Sequence, residues 1–102
     1  MNLDIVKSIE GVPVRLTDTQ WEHIVDEHPY MSGFYAAILE AVAEPDFVLL
    51  GHRGAKVAVV NLARKKWLHV MYRELNKKDG FIISAYIKSE FNENLIIWQS
   101  NN

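Results

Sequence analysis

The hydrophobic period of this 102-residue chain changes from helical to two near Pro45, and that change constrains its fold more than any other feature. Trp21, Ile24, Val25 and His28 recur at i, i+3, i+4 and i+7, which is one face of an α-helix. Thr17 supplies an N-cap, and Gln20 three residues on completes a capping box. Pro29 disfavours helical geometry at His28, so this first helix should span about 18–28. A second helix is expected from Ser32 or Gly33 to Ala43, with Phe34, Ile38 and Val42 as its apolar stripe and the Glu44-Pro45-Asp46 turn as its stop. Beyond Pro45 the period drops to two. Phe47–Leu50, Lys56–Leu62, Trp67–Leu75, Phe81–Lys88 and Leu95–Trp98 then follow as strands separated by short polar or glycine-bearing links.

Short links imply hairpins, and hairpins imply antiparallel pairing. Ahead of the helices, Ile5–Ser8 and Val12–Leu16 are short strands broken by Gly11 and Pro13. The expected fold is a single α+β domain over residues 1–102. Two N-terminal helices should pack on one face of a four- to five-stranded antiparallel sheet.

Composition removes several classes of function. A chain without cysteine has no disulfide framework, thiolate metal site or thiol nucleophile. The N-terminus lacks the pattern of a signal peptide, and no apolar run approaches the roughly 18–20 residues of a membrane span, so a cytoplasmic address is expected. Net charge is −2, but it is unevenly spread. Residues 1–50 hold two bases and nine acids, whereas residues 51–102 hold nine bases and four acids. A basic half can attract polyanions, or it can be no more than a solvated face of one sign.

Within the strand Phe81–Lys88, alternation puts Ile82, Ser84, Tyr86 and Lys88 on one face and Phe81, Ile83, Ala85 and Ile87 on the other. The second set is wholly apolar and should meet the helices. In the neighbouring strand Trp67, His69, Met71 and Arg73 share a face. If that face is also the side of Ser84 and Tyr86, cations, hydroxyl donors and an imidazole converge, as phosphodiester chemistry requires. Trp67, Tyr72 and Tyr86 could equally serve as stacking platforms for RNA.

The first helix is the other dense spot. His23 has Glu27 at i+4 and can form a local ion pair. His28 ends the apolar stripe at the helix C-terminus, where the dipole favours a cation; it can cap the helix or move a proton. His23 and His28 stand about 140° apart around a helix and the sequence is not His-Glu-x-x-His, so no metal site or other cofactor is expected. His52, in a glycine-bounded turn, should be exposed and idle.

Trp21-x-His23-Ile24 followed by Glu27-His28-Pro29, then Pro45-Asp46, then Ser84-Ala85-Tyr86 resembles the barnase–EndoU–colicin–RelE-like nucleases (the BECR fold), a superfamily that includes small phage and bacterial toxin ribonucleases. The resemblance spans about residues 15–98 and lies in the order and spacing of short motifs. It implies helices on a four-stranded antiparallel sheet and metal-independent RNA cleavage by attack of the ribose 2′-hydroxyl on the adjacent phosphate. Position by position it points to His23, His28, Ser84 and Tyr86, with Arg73 or Lys88 as the basic residue on the sheet. His69 and Trp67 then join Lys88 as substrate contacts. RNA and an antitoxin protein are the partners it implies. One departure is that the family commonly has a basic residue before His-Pro, where this chain has Glu27. The competing class is a non-catalytic RNA- or protein-binding module on the same fold.

Overall fold

The computed structural model describes residues 3–101. Seven strands form one mixed sheet: β1 (Leu3–Lys7), β2 (Pro13–Thr17), β3 (Phe47–Leu50), β4 (Lys56–Ala63), β5 (Lys66–Asn76), β6 (Asp79–Lys88) and β7 (Ile96–Gln99). Their order is β1-β2-β6-β5-β4-β3-β7. Helices α1 (Asp18–Glu27) and α2 (Tyr35–Ala43) lie on one face, joined by a 3-10 turn over Pro29–Gly33. No helix among the described residues is long and apolar enough to cross a membrane.

The α+β class is as expected, but the sheet is larger than four to five strands and is not wholly antiparallel. The β1–β2 hairpin joins it by pairing β2 in parallel with β6, Val14 opposite Gly80 and Arg15 opposite Phe81. On its other side Gly80 lets β5 come close, because a Cβ there would lie 2.7 Å from the Arg73 carbonyl oxygen. Arg15 fastens the junction through an ion pair with Asp79 and by lying over the Phe81 ring. At the far side β7 pairs with β3 and extends the sheet by one more strand.

α1 begins where the cap predicts, with Gln20 N–H donating to Thr17 Oγ1 at 3.1 Å. The Gln20 side chain does not close the box. It donates instead to the Ile83 carbonyl and ties the helix to β6 beyond the reach of β2. Beneath the helices Leu16, Ile24, Met31, Ile38, Val70 and Tyr72 have no exposed surface. Each such side chain other than Tyr72 stabilises by about 1.5–3 kcal/mol relative to an exposed one.

At one end of the sheet a polar clamp holds the β1–β2 turn. Ser8 Oγ donates to Glu74 Oε2 at 2.6 Å, and Lys56 bonds Glu74 and lies 3.6 Å from Glu10.

The faces of β6 differ from simple alternation. Met71 pairs with Ser84 but Tyr72 pairs with Ile82, so Ile83 is the extra residue of a bulge. Ile82, Ala85 and Ile87 therefore meet the helices, while Phe81 turns to the open face with Ser84, Tyr86 and Lys88. The expected pairing of Ile82 with Ser84 and of Phe81 with Ala85 is corrected accordingly.

Opposite the helices a second small core forms around Leu49, Val57 and Val59. Residues 89–95 run from β6 to β7, four places away in the sheet, or about 19 Å at the usual strand spacing. The strap crosses the open face and takes up its slack in a 3-10 turn over Glu93–Leu95. Phe91 anchors it, its ring 4.9 Å from Trp67 and 5.2 Å from Phe47.

Candidate functional site

Strand register builds the site in rungs. Phe47, Val59, His69 and Tyr86 lie side by side across β3, β4, β5 and β6, and Leu49, Val57, Met71 and Ser84 form the next rung. Trp67 faces Lys88 on one side of these rungs, and Arg73 faces Phe81 on the other. His69 and Arg73 thus share the face of Ser84 and Tyr86.

His69 is 4% exposed. Its Nδ1 lies 2.9 Å from the Trp67 carbonyl oxygen, which can only accept, so Nδ1 carries the proton and Nε2 keeps a free lone pair. Burial, with a smaller contribution from the Lys88 charge, holds its pKa below the ordinary histidine value despite the carbonyl bond. At neutral pH this is a neutral imidazole of defined tautomer. The Tyr86 ring stacks on it at 5.2 Å and 24°. Burial raises the Tyr86 phenol above its ordinary value, which keeps it a hydrogen-bond donor. Lys88 Nζ sits 5.2 Å from the centre of the same ring.

The other neighbour of Tyr86 is His28, with ring centres 6.0 Å apart. His28 ends α1, its N–H donating to the Ile24 carbonyl, and Pro29 then turns the chain so that the imidazole leans toward β6. Tyr30 packs edge-on against it at 5.7 Å and accepts a hydrogen bond from Ile87 N–H. Two recesses result. The larger, about 650 Å³, is floored by Leu49, Val57, His69 and Met71 and walled by Phe91 of the strap. The smaller, about 470 Å³, is edged by Glu27, His28 and Ser84. Tyr86, Met71 and Lys88 line both, so the two form one groove with His69 in one arm and His28 in the other.

His28, His69, Ser84, Tyr86 and Lys88 are therefore brought together. Three of the expected site residues are not. His23 points to solvent, its side chain 59% exposed, and pairs with Glu27 at 3.2 Å. Arg73 Nη1 donates to the Arg53 carbonyl at 2.7 Å, clamping the β3–β4 turn outside both recesses. Trp67 is wedged between Phe47 and Phe91, a structural ring rather than an open stacking platform. Residues that sequence reasoning passed over are Phe91, Glu90 and Asn92, while Met71 was placed on this face but given no role; His52 is exposed as expected but stands on the rim of the larger recess. The signal for Phe91 was available, since it is the lone aromatic in the polar run Ser89–Asn94. Among the described residues no group of three or more histidines and acids is placed to hold a metal ion.

No family model matches the chain, and neither the curated proteins nor the solved structures contain a significant match.

Proposed function

We propose that this chain is a metal-independent, toxin-like endoribonuclease of the BECR kind, working through the groove around Tyr86. The observation that carries the reading is His69: a buried, neutral imidazole whose Nδ1 is committed to a backbone carbonyl and whose Nε2 is free beside Tyr86 and Lys88. Cleavage by the ribose 2′-hydroxyl needs a base for that hydroxyl, an acid for the departing 5′-oxygen and a cation for the crowded phosphate. His69 Nε2 would take the 2′ proton. His28, across the Tyr86 ring, would return one to the 5′-oxygen, and Lys88 would neutralise the charge. Tyr86 and Ser84 hydroxyls would donate to the phosphate oxygens. His23, Arg73 and Trp67 would act on structure rather than on substrate.

A fluorogenic RNA incubated with the purified protein in excess chelator tests the proposal. Cleavage is expected, and His69→Asn and His28→Ala should each lower the rate by about 10²–10⁴-fold. Asn is chosen because its amide can still donate to the Trp67 carbonyl. Undiminished cleavage by both variants would refute the assignment.

A second reading draws on Glu27 and Glu90, which put one carboxylate beside each arm of the groove. Both would repel phosphate and suit a non-catalytic RNA- or protein-binding module. Binding of RNA that is left intact would favour that module, as would growth unaffected by expression in bacteria.

A further inference from the structure

Among the described residues two that are not glycine have a positive φ, Arg53 at 53° and Lys65 at 57°. Crowding between Cβ and the carbonyl disfavours this conformation for any residue with a side chain, which is why glycine or asparagine ordinarily fills such turns. Both residues are cations, both are exposed, and neither is in an ion pair with another described residue. They occupy the two turns that bracket β4. Arg53 follows His52 on the rim of the larger recess, and Lys65 lies between Arg64 and Lys66, which are likewise exposed and in no ion pair among the described residues. The hairpin of Lys65 leads directly into Trp67, which faces Lys88 of the groove. β4 holds the two turns about 27 Å apart. Three adjacent like charges, one of them on a strained backbone, are a poor choice for a tight turn. The Arg53 turn is also held by the Arg73 bond to its carbonyl, whereas strain kept at an exposed cation such as Lys65 points to use.

We propose that these turns are the two ends of a track for single-stranded RNA. Arg53 holds phosphates on one side of the Tyr86 groove, and Arg64, Lys65 and Lys66 hold those on the other. The inference rests on the nuclease reading for the identity of the polyanion and for where the scissile bond would lie. It makes the substrate an unpaired strand of several nucleotides rather than a dinucleotide, with backbone charge as the main source of affinity.

The strain itself supplies the test. In Arg53→Gly/Lys65→Gly each glycine removes a charge and relaxes the backbone, so lost binding cannot be blamed on unfolding. The probe is a 12-nucleotide 2′-O-methyl RNA, which a 2′-hydroxyl mechanism cannot cut, followed by fluorescence anisotropy across a salt series. The double variant should melt at the same temperature as the parent or higher and bind about tenfold more weakly. Its plot of log affinity against log salt should be shallower by about 1.4, roughly 0.7 for each lost phosphate contact. Equal affinity and slope, or no binding by the parent at low salt, would overturn the proposal. Tight binding by a parent that cuts no RNA would sustain the track and remove the catalytic reading. Cutting by the parent with unchanged binding in the variant would do the reverse.

Discussion

Phe91 is where the strap, the second core and the groove meet, so truncating it should disturb all three. Its ring is half-buried and lies 4.9 Å from Trp67, 5.2 Å from Phe47 and 6.3 Å from His69. Full burial of a phenylalanine stabilises by about 1.5–3 kcal/mol, so half-burial contributes about 1–1.5 kcal/mol. The two nearest ring pairs add about 0.5–1 kcal/mol each. Phe91→Ala should therefore cost about 2–3 kcal/mol, a fall in Tm of roughly 10–20 °C for a chain of this size. Phe91→Leu keeps most of the apolar area and should lose less than about 1.5 kcal/mol. The more telling consequence is electrostatic. Without this wall water reaches His69, and the desolvation that depresses its pKa is relieved. Urea denaturation gives the stability, and NMR titration of the His69 ring gives the pKa, which should rise in Phe91→Ala toward the ordinary value of about 6.5. An alanine variant as stable as the parent, with an unmoved His69 titration, would refute the idea that the strap both anchors the open face and dries the site.

Because the folded protein holds His69 below its ordinary pKa, the unfolded chain binds that proton more tightly. His69 thus favours folding above about pH 6.5, and this contribution is lost as pH falls from there through the lower folded value; urea midpoints across that range should show the loss, and His69→Asn should flatten it. Lys56 has the opposite sign. Burial lowers its pKa, but the hydrogen bond and charge of Glu74, with Glu10, outweigh this and leave it raised. Its contribution is full below about pH 10.5 and lost as pH rises through the folded value, so Glu74→Gln should cost about 1–3 kcal/mol at neutral pH and flatten the alkaline limb of a thermal-denaturation series. The Tyr72 hydroxyl is buried without a hydrogen-bond partner among the described residues. Tyr72→Phe should therefore leave stability unchanged or raise it by about 1 kcal/mol, and a loss above about 1 kcal/mol in urea denaturation would contradict this.

Much of this architecture is legible along the chain. The Thr17 cap, the stripe from Trp21 to His28 and the stop at Pro29 locate α1 to within a residue, because cap chemistry and the bar on helix before proline are local effects. The hairpins β4–β5 and β5–β6 follow from alternation and short turns for the same reason. What was hidden is non-local. The bulge at Ile83 inverts the faces of Phe81 and Ile82, and nothing in an apolar run marks where an extra residue will be left unpaired. The parallel pairing of β2 with β6 depends on residues more than sixty positions apart. Arg73 looked like a free cation until the β3–β4 turn brought the Arg53 carbonyl to it. Trp67 looked like an open platform until the strap laid Phe91 on it. For the histidines, spacing named His23 and His28 together, but only tertiary packing separates a solvent ion pair from a group turned toward Tyr86.

The central claim is that the groove uses the substrate's own 2′-hydroxyl as nucleophile, with His69 as its base and no metal. The most direct measurement follows a single-stranded RNA of about twelve nucleotides in excess chelator, with product ends resolved by mass spectrometry. Alongside it runs the same strand carrying a 2′-deoxy nucleotide at the cleavage position. Fragments ending in a 2′,3′-cyclic phosphate, with the deoxy-substituted bond uncut, are the predicted result. Cleavage of the deoxy-substituted bond, products without cyclic phosphate, or RNA left whole would contradict it.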